Sequence, residues 1–594
     1  MKISNGMGAV PGTEGVTFRV WAPYADNVFV FGTFNDWNET SDPLEHEADG
    51  YWATLLKEPQ PGDEYKYVIH NGDQKLVRND PYAKKVTHSN GNSVIYQPEF
   101  QWEDKDFQIK PFNELVIYEL HIGTFWQKNN EKVGDFFTAS EKLGYLKDLG
   151  INAIELMPVA EFTGAKSWGY NPAHPFAIET DYGGPEGLCH FVNEAHKHGI
   201  AVIMDVVFNH FGPGDTDLWR FDGWYENGKG GIYFYNDFKS TTPWGENRPD
   251  YGRKEVRNYL RDNALMWLED YHCDGLRYDG TAFIRFLKGG ISTDRVEIEE
   301  GYQLLQMING EIREKYPHKI LIAEDLKSET IVSTPIKHNG LGFHTQWGTA
   351  FVHTLKRILL EIDDQRRSLQ EVVEALLFIF NNDAFQRVIF TESHDSVANT
   401  SSRLPEEIQP GEAHGEYAKK KSTLGAITLF TAPGIPMVFQ GQEFLMDSYF
   451  NIDHALDWGK LEAFNGIHDM YRDLIGLRNG HKDEMVGLTG NLTEVLHFNQ
   501  DNLVIAYQRV HYDHQHKPVI IILNYSHQTH KGYRIGIPYD GSFQVRFNSG
   551  WKGYDESFAE VELVKIEAEG RSFEEKPYSI LVDIPQYGGI ILAR

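Results

Sequence analysis

Asp274 to Ala282 reads Asp-Gly-Leu-Arg-Tyr-Asp-Gly-Thr-Ala, with an arginine and an aspartate two residues apart. Side chains repeat every second residue along a β-strand, so a strand here points Arg277 and Asp279 to one face. A carboxylate beside an obligate cation stays ionised and is able to attack an electrophile. Three further runs carry acids of the same kind: Asp205-Val206-Val207-Phe208-Asn209-His210, Ala323-Glu324-Asp325 and Glu392-Ser393-His394-Asp395. Singly, each aspartate is more often a turn former or helix cap, and His210 or His394 is more often a hydrogen-bonded structural residue. Jointly they carry weight, because converging acids repel one another unless cations and donors compensate them. The chain has no glycine-rich phosphate loop ending in lysine and serine or threonine, no His-Glu-x-x-His and no Gly-x-Ser-x-Gly. Paired carboxylates without those features suit cleavage of a glycosidic bond. One attacks the anomeric carbon while the other, its pKa raised by burial or a like charge, protonates the leaving oxygen. In a retaining enzyme the two lie about 5 Å apart.

Side chains so far apart in sequence need a scaffold that brings them to one rim, and the pattern after Pro111 predicts it. Apolar strand-like runs occur at Leu115 to Leu120, Ala153 to Met157, Ile200 to Val207, Gly275 to Asp279, Ile320 to Ala323, Gly342 to Trp347, Val388 to Thr391 and Ile435 to Phe439. Amphipathic helices alternate with them. In Val256 to Tyr271, for example, Val256, Tyr259, Leu260, Ala264, Trp267, Leu268 and Tyr271 fall on one helical stripe. Another helix, Pro185 to His198, has proline near its start and Gly199 just past its end. Repeated strand and helix predicts a parallel sheet, and eight strands predict a closed (β/α)₈ barrel. Active sites of such barrels gather at the C-terminal ends of the strands, where strands three, four, five and seven each deliver an acid. A long insertion, residues 211–251, follows the third strand and should overhang the mouth.

Short alternating strands flank the barrel on both sides. Val16 to Trp21, Val28 to Gly32, Tyr51 to Leu56 and Tyr65 to Ile69 predict an N-terminal β-sandwich over residues 1–105. Its Trp21, Phe34, Trp37 and Trp52 could stack on sugar rings, although most such aromatics form the core of a small sandwich. Val495 to Phe498, Leu503 to Arg509, Val519 to Asn524, Phe543 to Phe547 and Ile580 to Val582 predict a C-terminal antiparallel β domain over 485–594, leaving 106–484 to the barrel. A length of 594 residues and a net charge of -30, from 56 basic and 86 acidic residues, fit several domains and a neutral substrate. Nucleic acid and anionic membrane are poor partners for such a charge. No apolar run suggests a signal peptide or a bilayer span. Two cysteines, Cys189 and Cys273, point to buried thiols and a cytoplasmic location. A monomer without cofactor or metal is expected; Asn209 and nearby aspartates could serve calcium but are equally good turn residues.

The segments around Asp205, Asp279, Glu324 and Asp395 resemble, in order and spacing, the four signature regions of the α-amylase superfamily of glycoside hydrolases. The resemblance extends along nearly the whole chain, because glycogen-active members carry a β-sandwich, a barrel and a C-terminal β domain. It implies an α-glucan substrate such as amylose, glycogen or a maltooligosaccharide. It also implies that Asp279 is the nucleophile, Glu324 the general acid/base and Asp395 the third acid, gripping sugar hydroxyls. Arg277 would keep Asp279 ionised, His210 and His394 would hydrogen-bond the sugar before the scissile bond, Asp205 would orient this shell, and Tyr170 would stack on that sugar.

Two branches of the superfamily share these motifs. Asp279-Gly280, Glu324-Asp325, Glu392-Ser393-His394-Asp395, Gly441-Gln442-Glu443-Phe444 and Leu456-Asp457-Trp458 are similar to glycogen and starch branching enzymes. Tyr118-Glu119-Leu120-His121, the run Glu155 to Tyr170, Val206 to Pro213 and Thr242-Pro243-Trp244-Gly245 resemble maltooligosyltrehalose trehalohydrolase. The motifs nearest the acids favour transfer of a cleaved α-1,4 chain to form an α-1,6 branch; hydrolysis is the alternative. An inactive glucan-binding protein would lack one of the acids, and all three are present.

Overall fold

Eight parallel strands close into a barrel: β1 (Ile117–Leu120), β2 (Ala153–Leu156), β3 (Ala201–Val206), β4 (Gly275–Tyr278), β5 (Ile320–Ala323), β6 (Thr345–Trp347), β7 (Arg387–Ile389) and β8 (Ile435–Phe439). The closing pair aligns Val438 of β8 with Tyr118 of β1. The computed structural model describes residues 6–128, 133–212, 216–290, 295–398, 400–479, 483–515, 517–558 and 565–594; Pro213, the end of the third-strand motif, lies outside them.

Every barrel strand is buried along its whole length, as expected where helices cover the outside and side chains fill the inside. Ile117, Ala153, Ile203 and Ile322 share one inner cluster with Met437 and Val388. Two residues further along the same strands, on the same inward face, come Glu119, Glu155, Asp205 and Glu324. The barrel therefore has an apolar floor and a polar layer directly above it. Register carries the pattern across strands: Glu119 lies opposite Glu155, and Asp205 opposite Arg277.

The helices form where the apolar stripes predict. Gly184–Lys197 begins with Pro185 in its first turn, and Gly199 follows it with φ +76°, a conformation glycine adopts at little cost. Lys254–Glu269 buries Val256, Tyr259, Leu260, Ala264, Trp267 and Leu268. One element between β2 and β3 has no counterpart in the sequence reading. Ala160–Phe162 pairs antiparallel with Pro172–Ile178, and the connection between them carries Trp168 and Tyr170. Pro172 and Pro175 lie within this strand of a two-stranded sheet, where no central ladder needs their missing N–H groups.

The N-terminal part is a sandwich of two four-stranded sheets. Trp21 and Trp52 are only 5% and 7% exposed, and the Trp52 indole donates to the Ala22 carbonyl at 3.0 Å. They are core side chains, not sugar platforms; among the four aromatics proposed there, Trp37 stays exposed and Phe34 half-buried. The insertion after β3 packs onto this sandwich: Arg78 donates to the carbonyls of Phe221 and Arg220, both at 3.1 Å. The C-terminal part holds a six-stranded antiparallel sheet and a two-stranded one. The sheet includes Gly588–Ala593, a strand the sequence reading omitted, between Val519–Asn524 and Ser542–Asn548. No helix among the described residues is long and apolar enough to cross a membrane.

Candidate active site

Arg277 is fully buried at the end of β4 and its guanidinium organises the barrel mouth. Nη1 lies 2.7 Å from Asp205 and 2.9 Å from Asp279, and Nη2 lies 3.4 Å from Glu324. The Trp347 ring covers one face, 4.3 Å from the guanidinium carbon. Burial opposes the charge, but the carboxylates of Asp205, Glu324 and Asp279 with Tyr170 hold Arg277 ionised well above its ordinary range. One cation thus gathers three acids that would otherwise repel one another.

The other Asp279 oxygen accepts 2.7 Å from Asn209 Nδ2, which also reaches the Asp279 carbonyl at 2.9 Å. The chain then turns sharply. Gly280 takes φ 52° and ψ 44°, the left-handed region, and its N–H donates 2.6 Å to Glu324 Oε2. Thr281 Oγ1 donates to the Glu324 carbonyl at 2.9 Å. Burial is the main force pushing the Glu324 carboxyl up to about 7, with the charges of Asp279 and Asp395 adding to it and Arg277 and the Gly280 N–H opposing it. Asp205 is likewise pushed up by burial to about 7 against the pull of Arg277.

Tyr170 donates its hydroxyl to Asp205 at 2.7 Å and lays its ring against His394, with centroids 5.1 Å apart and planes 23° apart. The His394 backbone N–H donates 3.0 Å to Glu119, and its Nδ1 donates to the other oxygen of the same carboxylate. His394 Nε2 stands 3.6 Å from Asp395. Burial works against a charged His394, yet Glu119 and Asp395 raise it to about 9. His210 directs Nε2 to the Tyr170 carbonyl at 2.7 Å and Nδ1 to Asn209 Oδ1; burial lowers its pKa.

The structure therefore collects Tyr170, Asp205, His210, Arg277, Asp279, Glu324, His394 and Asp395 at one rim. It also separates these candidate acids from their sequence neighbours. Asp325 is tied to Arg285 at 2.6 Å, and Glu392 to Arg403 at 2.9 Å and the Leu404 N–H at 2.6 Å, so these two anchor loops. The Asp395 side chain, in contrast, is 56% exposed at the mouth.

Four residues escaped the sequence reading of the site: Glu119, Glu155, Asn209 and Trp347. Asn209, which the sequence offers as a calcium ligand or turn former, has both ends of its amide engaged, Nδ2 by Asp279 and Oδ1 by His210. Among the described residues no group of three or more His, Cys, Asp and Glu side chains could hold a metal ion. Glu119 and Glu155 were legible in principle, since a lone carboxylate inside a fully buried apolar strand needs a partner. Burial pushes Glu155 well above the usual carboxylate range, and one of its oxygens has no hydrogen-bond partner.

Three carboxylates on one arginine at the C-terminal rim of a (β/α)₈ barrel form a carbohydrate-cleaving type of site. The "Alpha amylase, catalytic domain" family matches residues 120–217 and 216–465. The chain belongs to the α-amylase family. Carbohydrate-binding module 48 (isoamylase N-terminal domain) matches 6–83, and the alpha amylase C-terminal all-beta domain matches 496–594. Among curated relatives, the chain is 30% identical to the 1,4-alpha-glucan branching enzyme GlgB of Oceanobacillus iheyensis, covering 91% of this chain and 86% of that one. It is 29% identical to GlgB of Salinibacter ruber, covering 99% and 96%. The fold is similar to that of a type I pullulanase from Bacillus subtilis, with a TM-score of 0.77 at 22% identity over 100% of this chain and 86% of that one.

Proposed function

We propose that this protein is a 1,4-α-glucan branching enzyme that works through a glycosyl-Asp279 intermediate. The observation that carries the chemistry is the shared guanidinium: Arg277 holds Asp279 and Glu324 side by side, while burial leaves Glu324 able to keep a proton near neutral pH. Full-length similarity to branching enzymes supports the choice of reaction within the family.

In the first half, an Asp279 oxygen attacks the anomeric carbon of an α-1,4-linked donor. The carbon–oxygen bond breaks, and Glu324 passes its proton to the departing 4-oxygen. Asn209 and Arg277 hold one oxygen of Asp279 each, so the nucleophile is oriented before substrate arrives. Tyr170 and His394 supply the wall against which the donor sugar lies, and Asp395 grips its hydroxyls. In the second half, the 6-hydroxyl of a glucan acceptor gives its proton to Glu324 and attacks the same carbon, releasing Asp279. Two inversions leave the anomeric configuration retained, and an α-1,6 branch replaces an α-1,4 link. The buried free thiols Cys189 and Cys273 fit a reducing, cytoplasmic setting.

The test is to incubate the protein with amylose and measure reducing ends before and after a debranching enzyme. New chains released only by debranching support the reading. Reducing sugar without branches, or trehalose released from a maltooligosyl-trehalose, overturns it in favour of hydrolysis. Asp279→Asn should lower activity by about 10⁴-fold or more while the protein stays folded.

A further inference from the structure

The insertion after β3 brings one aromatic side chain to the rim, and the chemistry of Asp279, Glu324 and Arg277 makes no use of it. Trp244, in Thr242-Pro243-Trp244-Gly245, is 48% exposed. A lone exposed aromatic needs no explanation in itself, but this one is fixed from below and from both sides. Thr242 and Gly245 exchange backbone hydrogen bonds of 2.7 and 3.3 Å. Thr242 Oγ1 accepts from the Trp244 N–H at 3.2 Å and donates to Asn247 at 2.7 Å, and Asn247 in turn reaches the Phe211 carbonyl at 2.5 Å. The indole stacks on His210 at 4.5 Å with planes 15° apart, and meets the Phe283 ring edge-on at 5.1 Å.

Both neighbours belong to the catalytic frame. His210 contacts Asn209, the residue that holds Asp279. Phe283 sits in the short helix that Gly280 opens, and Gly280 binds Glu324. Trp244 therefore lies on the β3–β4 side of the mouth. The wall made by Tyr170 and His394 comes from the β2 and β7 sides. Glu324 must touch the oxygen that leaves the donor and later the oxygen that accepts it, so the chain bearing that oxygen crosses the rim beside Gly280 and Glu324. The free face of a rigid indole there offers the flat apolar surface that one side of a glucose ring fits.

We propose that Trp244 is the stacking platform for the acceptor glucan and the residue by which the glycosyl-enzyme favours a sugar hydroxyl over water. The inference rests on the branching reading above. Binding a ring over the indole places its 6-hydroxyl near Glu324 and excludes water from the same space. Branching and hydrolysis divide from one intermediate, so their ratio reports the acceptor step alone, whatever happens to donor cleavage.

The test compares the full-length protein with Trp244→Ala and Trp244→Phe, using α-maltosyl fluoride as donor and a maltooligosaccharide as acceptor over a range of concentrations. Trp244→Ala should raise the half-saturating acceptor concentration about tenfold and lower the transfer-to-hydrolysis ratio about tenfold, with Trp244→Phe restoring most of both. An unchanged ratio in Trp244→Ala overturns the proposal. So does a fall in transfer and hydrolysis by the same factor at every acceptor concentration, including none, because that is what a purely structural role gives. Wild-type protein that cleaves the fluoride and never forms a branch overturns the branching reading itself.

Discussion

Arg277 Nη1, on β4, stands 2.9 Å from Asp279, two residues further on and just past the end of that strand. The same nitrogen is 2.7 Å from Asp205, and its partner Nη2 is 3.4 Å from Glu324. Lysine offers a single charged point on a flexible stem, lacks the planar fork whose two ends reach different carboxylates here, and stacks poorly on Trp347. Arg277→Lys should therefore lower kcat/KM by about 100-fold or more. Arg277→Met, which leaves buried acids unpaired, should also cost about 3 kcal/mol of stability, read as a lower urea midpoint.

The pH dependence follows from Glu324. The acid role proposed for it requires the protonated form, and burial keeps that proton to about pH 7, so kcat/KM on amylose should fall as pH rises through 7. Asp205 has a similar raised value, which makes the assignment worth separating. Fluoride leaves without protonation, so the alkaline limb of kcat/KM should vanish with α-maltosyl fluoride if it belongs to Glu324. A limb that persists with this donor would place it on Asp205 or elsewhere.

Much of this site was legible in the sequence because strand periodicity is strict. Arg277 and Asp279 two residues apart, and acids at the ends of four apolar runs, are one-dimensional facts with a direct three-dimensional meaning. β6 was harder to see, since only Thr345–Trp347 form it, and three residues carry almost no periodicity. Trp347 consequently passed unnoticed as the cover of Arg277. The role of Asn209 in holding Asp279 is not visible locally because its partner is 70 residues away, on another strand end. Local rules favour asparagine in turns, and nothing local announces a hydrogen bond to a nucleophile. Gly588–Ala593 is apolar and near the chain end, and its identity as a strand comes only from the two strands that flank it.

Glu119 gives a prediction that joins stability to activity. It receives both the backbone N–H and Nδ1 of His394, and with Asp395 it overcomes burial to raise the imidazolium from 6.5 to about 9. A raised folded-state pKa means tighter proton binding in the folded protein, so this stabilisation is complete below pH 6.5 and is lost as pH rises toward 9. Glu119→Gln should flatten the fall in Tm across that window. It should also lower kcat about tenfold or more, with a larger loss at pH 8 than at pH 6, since His394 then sheds its proton earlier. A Tm profile identical to wild type would remove the charged pair from the account.

Gly280 connects the two halves of the reaction through backbone alone. Its left-handed φ of 52° and its N–H to Glu324 lie between Asp279 and Glu324, the proposed nucleophile and acid/base. A Cβ built there meets Asn209 Nδ2 at less than contact distance, and that same nitrogen holds Asp279. Gly280→Ala thus strains the backbone by about 1 kcal/mol or more and pushes Asn209 off the nucleophile. The expected result is a loss of kcat of about 100-fold with a fall in Tm of only a few degrees. Combining it with Asn209→Ala should give little further loss, because both changes remove the same support. Losses that multiply in the double variant would mean that Gly280 acts through Glu324 instead, and the alkaline limb of the single variant would then shift as its carboxyl loses the N–H.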